Sequence, residues 1–204
     1  MKRFDTVTGI AAPLMRDNID TDAIIAARAM EGGPRDLGAV AFTNWRFDLN
    51  WAEQPEFVLN QPRYRGATFL VAGRNFGCGS SRESAVWALA QYGIRAVIAP
   101  SFGDIFQENA LQNGLLPIPL DTELVQTIAA AIERSNDAHM TVDLVRNEIR
   151  VAGLAPIPFA IAPERRRALL EDKGDFDLLV EQLPRIGEFE ARDRAARPWM
   201  ELNR

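Results

Sequence analysis

An α/β fold carrying a parallel sheet is what this sequence predicts, on three observations. Between residues 67 and 135, short apolar runs alternate three times with segments of helical length and period, the pattern of strands joined by crossover helices. Glycines stand where two of those helices would end, at Gly93 and Gly114, the usual place for a left-handed C-cap. The chain has 204 residues, 47% apolar and 25% charged, enough for one well-buried core.

The elements follow in order. GIAAPLMRDNIDTDAII reads as a short strand, a polar turn and a second apolar segment. Residues 31–50, EGGPRDLGAVAFTNWRFDLN, mix glycine, proline and charge with Phe42, Trp45 and Phe47. That composition predicts a mobile loop closing onto an aromatic anchor. PEFVLNQPRYRG is an irregular connection. ATFLVAG (67–73) is a buried strand and SRESAVWALAQYG a helix closed by Gly93. RAVIAPS is the next strand, FGDIFQENALQNG the next helix, and LLPIPL a further strand. DTELVQTIAAAIERS is a helix with Asp121 at its N-cap and Glu123 in its first turn. MTVDLVRNEIRVAG alternates like a hairpin turning near Arg146 and Asn147. From about residue 163 to 204 the chain is charged and helical in stretches, broken at Gly174 and Pro184. The arginine run 165–167, interleaved with Glu164, Glu171 and Asp172, reads as a solvated helix face. With no repeat and no low-complexity linker, residues 1–204 are expected to form a single domain.

Composition also narrows function. A net charge of −5 argues against a nucleic-acid surface, which needs clustered cations. No apolar run approaches the roughly 20 residues that cross a bilayer. MKRFDTVTG lacks the apolar core of a signal peptide, so no membrane partner and a cytoplasmic location are expected. Cys78 and His139 are the sole residues of their types. That excludes an internal disulfide and a zinc or iron–sulfur site built from this chain's usual ligands alone. His139, in NDAHMT, reads as a solvated loop residue.

The stretch with chemistry is NFGCGSSRES, Asn75 to Ser84, between a strand and a helix. A glycine-rich turn at a helix N-terminus gathers unpaired N–H groups and the positive end of the helix dipole on one spot. Gly77 and Gly79 permit the positive φ that aims successive N–H groups into a common nest. The Walker pattern fails for want of lysine, and the dinucleotide fingerprint fails because Arg82 stands where its third glycine belongs. Carboxylate recognition remains, with Arg82 offering a planar fork. The structural alternative is that Ser80 or Ser81 is an ordinary N-cap and Glu83 part of a capping arrangement.

NFGCGSSRES resembles the NFGxGSSREH signature of the small, swivelling domain of the aconitase superfamily. The resemblance runs nearly end to end, through NIDTDAII, NWRF, PEFVLNQP, VIAPSFGDIF, GLLPI and a terminal RPW. Within the superfamily it is to the small-subunit family of 3-isopropylmalate dehydratases, of leucine biosynthesis. It implies an α/β, three-layer β/β/α swivelling domain with a helical C-terminal extension. It also implies a large partner subunit carrying a [4Fe–4S] cluster, no cofactor or metal on this chain, and a small branched dicarboxylate as substrate.

By the same resemblance Ser80 is the catalytic base that removes a proton α to a substrate carboxylate. Arg82 clamps that carboxylate, with Ser81 and Gly79 beside it; Arg35, on the loop 29–38 that selects the substrate's side chain, either approaches the substrate or faces solvent as a turn arginine. Asp20, Thr21, Asp22, Asn75, Gly77 and Glu83 support the site, and Cys78 is a small filler between glycines. The sequence departs from the family pattern at Ser84, where histidine is usual, and lacks the proline after DTDAII. Those departures leave open a related substrate, citraconate, methylmalate or dimethylmalate, and a catalytically silent carboxylate-binding paralogue.

Overall fold

The structure, a computed structural model, describes residues 3–30 and 36–200. Seven strands form a mixed sheet in the order β4-β3-β2-β1-β5-β6-β7. The strands are β1 (Thr6–Leu14), β2 (Phe69–Ala72), β3 (Ala96–Ala99), β4 (Leu116–Pro119), β5 (His139–Asp143), β6 (Glu148–Val151) and β7 (Ile157–Pro158). The expected α/β class is the one adopted, and β1 is what joins its parts. Its first half, Thr6 to Ile10, pairs antiparallel with β5. Its second half, Ala11 to Leu14, pairs parallel with β2. A nine-residue β1, longer than the short strand expected, thus belongs to an antiparallel group on one side and a parallel group on the other.

The parallel group is the anticipated strand–helix alternation. β2 and β3 are buried at every position, as strands covered on both faces must be. Helices α3 (Glu83–Tyr92) and α4 (Asp104–Gln112) are the crossovers β2–α3–β3 and β3–α4–β4, and they pack on each other. Right-handed crossovers in a row put both on one face. Helix α5 (Thr122–Arg134) packs across β1, β2 and β3, closing the other face. Its buried Val125, Ile128, Ala129 and Ile132 recur at helical spacing. Gly93 closes α3 with φ 115°. Asp121 does occupy the N-cap of α5, but its side chain makes no capping hydrogen bond.

Several expectations are corrected. The apolar segment after the first turn begins with a one-turn helix, α1 (Thr21–Ile24), because the Asp20 carboxylate accepts from the Ala23 N–H at 2.7 Å. A second short helix, α2 (Thr43–Arg46), carries the aromatic anchor, where Phe42, Trp45 and Phe57 lie with ring centroids 5.8–6.0 Å apart. His139 is no loop residue: it opens β5, exposed, with Nδ1 against the Asp137 carboxylate.

The arginine run is not simply solvated. It lies in α6 (Pro163–Glu171), where Arg165 pairs with Glu108 of α4. Arg166 caps the β5–β6 turn by donating to the carbonyls of Leu144 and Val145 at 2.9 and 2.7 Å. Arg167 pairs with Glu171 and Glu181. Gly174 does separate α6 from α7 (Asp175–Ala196), but α7 runs unbroken through Pro184. Proline removes one backbone donor there, and the freed carbonyl lies on an exposed helix where water can satisfy it.

Candidate functional site

Two adjacent loops build the site. β1 and β2 pair in register up to Leu14 and Ala72. Both chains then leave the sheet for five residues, 15–19 and 73–77, and rejoin in unchanged register at the parallel bridge of Asp20 with Cys78. Cross-bonds run the whole way. Gly73 N donates to the Arg16 carbonyl at 3.1 Å and Asn18 N to that of Arg74 at 2.9 Å. Arg74 N donates to the Asp17 carboxylate at 3.0 Å, and the two side chains form an ion pair at the same distance. Asn75 Nδ2 donates to Asn18 Oδ1 at 2.8 Å. Gly77 N reaches the Ile19 carbonyl at 2.7 Å, Thr21 N that of Cys78 at 2.9 Å, and Thr21 Oγ1 that of Ser80 at 3.1 Å.

The other flank of the turn rests on the loop after β3. Phe76 N donates to the Ser101 carbonyl at 3.0 Å, Gly103 N to that of Phe76 at 2.9 Å, and Asn75 N to Ser101 Oγ at 2.9 Å. Beneath lie Phe76, Phe102 and Phe106, with centroids 5.3–6.5 Å apart. Gly77 has φ 72°, and a Cβ there would stand 2.1 Å from Phe106 Cγ. Both conformation and space therefore require glycine. At Gly79, φ 93°, conformation alone does, since the nearest atom to a Cβ is 3.5 Å away.

On this scaffold Ser80 and Ser81 are exposed. α3 begins only at Glu83, and its N-cap position falls to Arg82, which makes no side-chain capping bond. Neither serine is therefore the N-cap, and neither hydroxyl has a hydrogen-bond partner among the described residues. The backbone N–H groups of Ser80, Ser81, Glu83 and Ser84 likewise have no acceptor among the described residues. The Ser80 carbonyl, by contrast, accepts from both Arg82 N, at 2.8 Å, and Thr21 Oγ1. Backbone is fixed and hydroxyl is free.

The Arg82 guanidinium, about a quarter exposed, pairs through Nη1 with the Asp22 carboxylate. Glu83 turns away from the serines: its carboxylate accepts from Asn113 Nδ2 at 2.9 Å, fastening α3 to the end of α4. Burial, and then the Asp20 carboxylate, hold the Cys78 thiol above its ordinary range, opposite to what a reactive thiolate requires.

The structure thus gathers Asp20, Thr21, Asp22, Asn75, Gly77, Gly79, Ser80, Ser81 and Arg82 in one cluster and directs Glu83 elsewhere. Arg35 lies outside the described residues. Sequence reasoning missed Asp17, Asn18 and Ser101, which tie the loops together; the turn-forming run RDN before the aspartates was the available signal. Two clefts of about 720 and 500 Å³ lie at the ends of β1 and β2 beside α5, and neither reaches the serines. Among the described residues, Ser80 and Ser81 stand exposed at the surface. Among the described residues no His, Cys, Asp and Glu side chains group so as to hold a metal ion, and no helix is long and apolar enough to cross a membrane.

Comparison with known proteins shows the family. The Aconitase C-terminal domain family matches residues 1–123. A 3-isopropylmalate dehydratase small subunit of Rhodospirillum centenum is 50% identical over 200 residues, 98% of each chain. That of Afipia carboxidovorans is 46% identical, over 98% of this chain and all of its own. A crystal structure of 3-isopropylmalate dehydratase (leuD) from Methanocaldococcus jannaschii superposes with a TM-score of 0.62. It is 29% identical and covers 90% of this chain and 98% of its own.

Proposed function

Since this chain belongs to the aconitase C-terminal domain family, and within it to the small subunits of 3-isopropylmalate dehydratase, we propose that it is the small subunit of a hydro-lyase. The enzyme interconverts 2- and 3-isopropylmalate by dehydration and rehydration, in leucine biosynthesis. The partner is a large subunit, and the [4Fe–4S] cluster resides there. This chain's own residues do not fit a cluster: it has one cysteine, whose thiol pKa burial raises, whereas such clusters take several cysteine thiolates. When bound in the partner, the cluster supplies the Lewis acid that polarises the substrate hydroxyl.

The task left to this chain is the proton. Dehydration removes a C–H proton α to a carboxylate and expels hydroxide from the neighbouring carbon; rehydration adds both back with their positions exchanged. A serine hydroxyl is a very weak acid, so it serves as base only where its oxyanion is stabilised. What supports Ser80 in that role is its exposed, uncommitted hydroxyl, in a turn where the N–H groups of Ser80, Ser81, Glu83 and Ser84 have no acceptor among the described residues. Those donors and the helix dipole stabilise negative charge on Ser80 and on the substrate carboxylate as the proton departs. Arg82 binds the carboxylate. A guanidinium has five donors; Asp22 occupies the Nη1 side and fixes its orientation, leaving other donors for substrate.

The single observation that carries this reading is that the serine hydroxyls do not cap α3. The experiment is Ser80→Ala in enzyme reconstituted anaerobically with its large subunit. Turnover is expected to fall by about 10²–10⁴-fold, the usual contribution of a general base, with unchanged Tm. Near-normal turnover would remove Ser80 as the base. A panel of branched malates and their dehydrated forms, offered to the same complex, tests the substrate.

A further inference from the structure

We propose that Asn18 and Asn75 are a matched pair of positioning residues that aim Ser80, acting through the bond between their side-chain amides; the proposal rests on Ser80 being the base. Both residues are left-handed, at φ 55° and 59°, a conformation that asparagine tolerates better than most side chains. Each stands within its five-residue excursion, so the two chains kink together and re-pair beyond the kink in the register they had before it. The hydrogen bond from Asn75 Nδ2 to Asn18 Oδ1, at 2.8 Å, lies in the interval between the last sheet pair and the Asp20–Cys78 bridge.

The serine turn lies directly beyond that interval. The Ser80 side chain touches no hydrogen-bond partner among the described residues, so its position is set wholly by its backbone. That backbone is held by Thr21, three residues after Asn18 and just past the Asp20–Cys78 bridge. Losing the Asn75–Asn18 hydrogen bond removes one of the cross-bonds that hold the two loops against each other at the kink, and the hydroxyl shifts with them while the aromatic cluster beneath stays packed. A displacement near 1 Å costs on the order of 10²-fold in rate when reacting atoms must meet in line.

The direction of the bond supplies the test. Asn18→Asp keeps an acceptor opposite the Asn75 donor. Asn75→Asp puts a carboxylate oxygen against the Asn18 carbonyl oxygen and breaks the bond. Both add one negative charge at the same place. In the reconstituted enzyme, Asn75→Asp is expected to lower kcat by about 10-fold or more, with KM and large-subunit affinity within about 3-fold of wild type. Asn18→Asp is expected to stay within about 2-fold in kcat. Asn18→Gly, which keeps the left-handed turn but loses the acceptor, is expected to match Asn75→Asp and stands in for it should that variant fold poorly. Equal effects of the two aspartate variants, or unchanged kcat in Asn75→Asp and Asn18→Gly, overturn the pair. Ser80→Ala in the same assay separates the two claims. If it turns over normally, the base assignment fails; if it is inactive while Asn75→Asp is normal, only the positioning pair fails.

Discussion

Gly77 bears two constraints that no other residue can meet together. A β-carbon would be forced into the left-handed region and into the Phe106 ring at once. Gly77→Ala is therefore expected to cost about 1–3 kcal/mol for the backbone and about 1–3 kcal/mol for overpacking. Thermal melting should fall by roughly 5–15 °C; an unchanged Tm would show that the turn can rebuild. Its neighbour Cys78 makes the opposite case. Burial raises its thiol pKa, so fewer thiolates exist at pH 8 than on a free cysteine. Reaction with a thiol-specific disulfide reagent should be slower than for free cysteine, and should accelerate only at higher pH. The sign for stability follows: the neutral thiol favours the fold below the ordinary cysteine pKa, and that contribution is lost as pH rises through the raised value. A rate equal to free cysteine at pH 8 would contradict the assignment of Cys78 as filler.

Among the elements, what periodicity governs was legible and what partners govern was not. ATFLVAG, RAVIAPS and LLPIPL announced strands because each is short, apolar and bounded by turn residues, and all three sit in the parallel group. The helix stops at Gly93 and Gly114 were legible because glycine alone bears the strain there. The start of α3 was not. SSRE suggests a capped start at serine, yet the cross-bonds to Ser80 from Thr21 and Arg82 hold the serines outside the helix. Nor could α2 be read from its own residues. Its buried Arg46 donates to the carbonyls of Gly38, Ala39 and Ala41 and to Asn60 at 3.2–3.4 Å, contacts with flanking residues outside the helix. Pro184 misled for a related reason: an exposed helix bears a proline that a packed one rejects. Replacing it, Pro184→Ala, is expected to raise the helical circular dichroism signal and slow proteolysis within α7. Core melting should not change, because no residue beyond Leu169 is buried among those described. A rise in the main transition would instead mean that α7 couples to the sheet.

The whole molecule divides its labour between a braced sheet and a surface left open. The α/β class was legible from the alternation of elements, whereas the sharing of β1 between antiparallel and parallel groups was not, since pairing partners leave no local trace. Of the candidate site, the glycines, serines and Arg82 could be read from one decapeptide and Asp20, Thr21 and Asp22 from a second motif, while the ties made by Asp17, Asn18 and Ser101 could not. The exposure of the serine turn also bears on what the isolated chain can do. It is expected to show no dehydratase turnover alone, and activity should appear in proportion to added large subunit until the two are equimolar. Turnover by the chain alone would overturn the division of roles. Truncation after Gly174 is expected to leave the melting of the sheet within a few degrees, checked by calorimetry.

The equal excursions of residues 15–19 and 73–77 carry a consequence for how such a chain can change over time. One inserted residue in either loop would throw the Asp20–Cys78 bridge out of step and carry Ser80 off its mark. Lengthening is tolerable only when both loops gain together, so the two segments are bound to evolve as a single unit although some fifty residues of chain divide them.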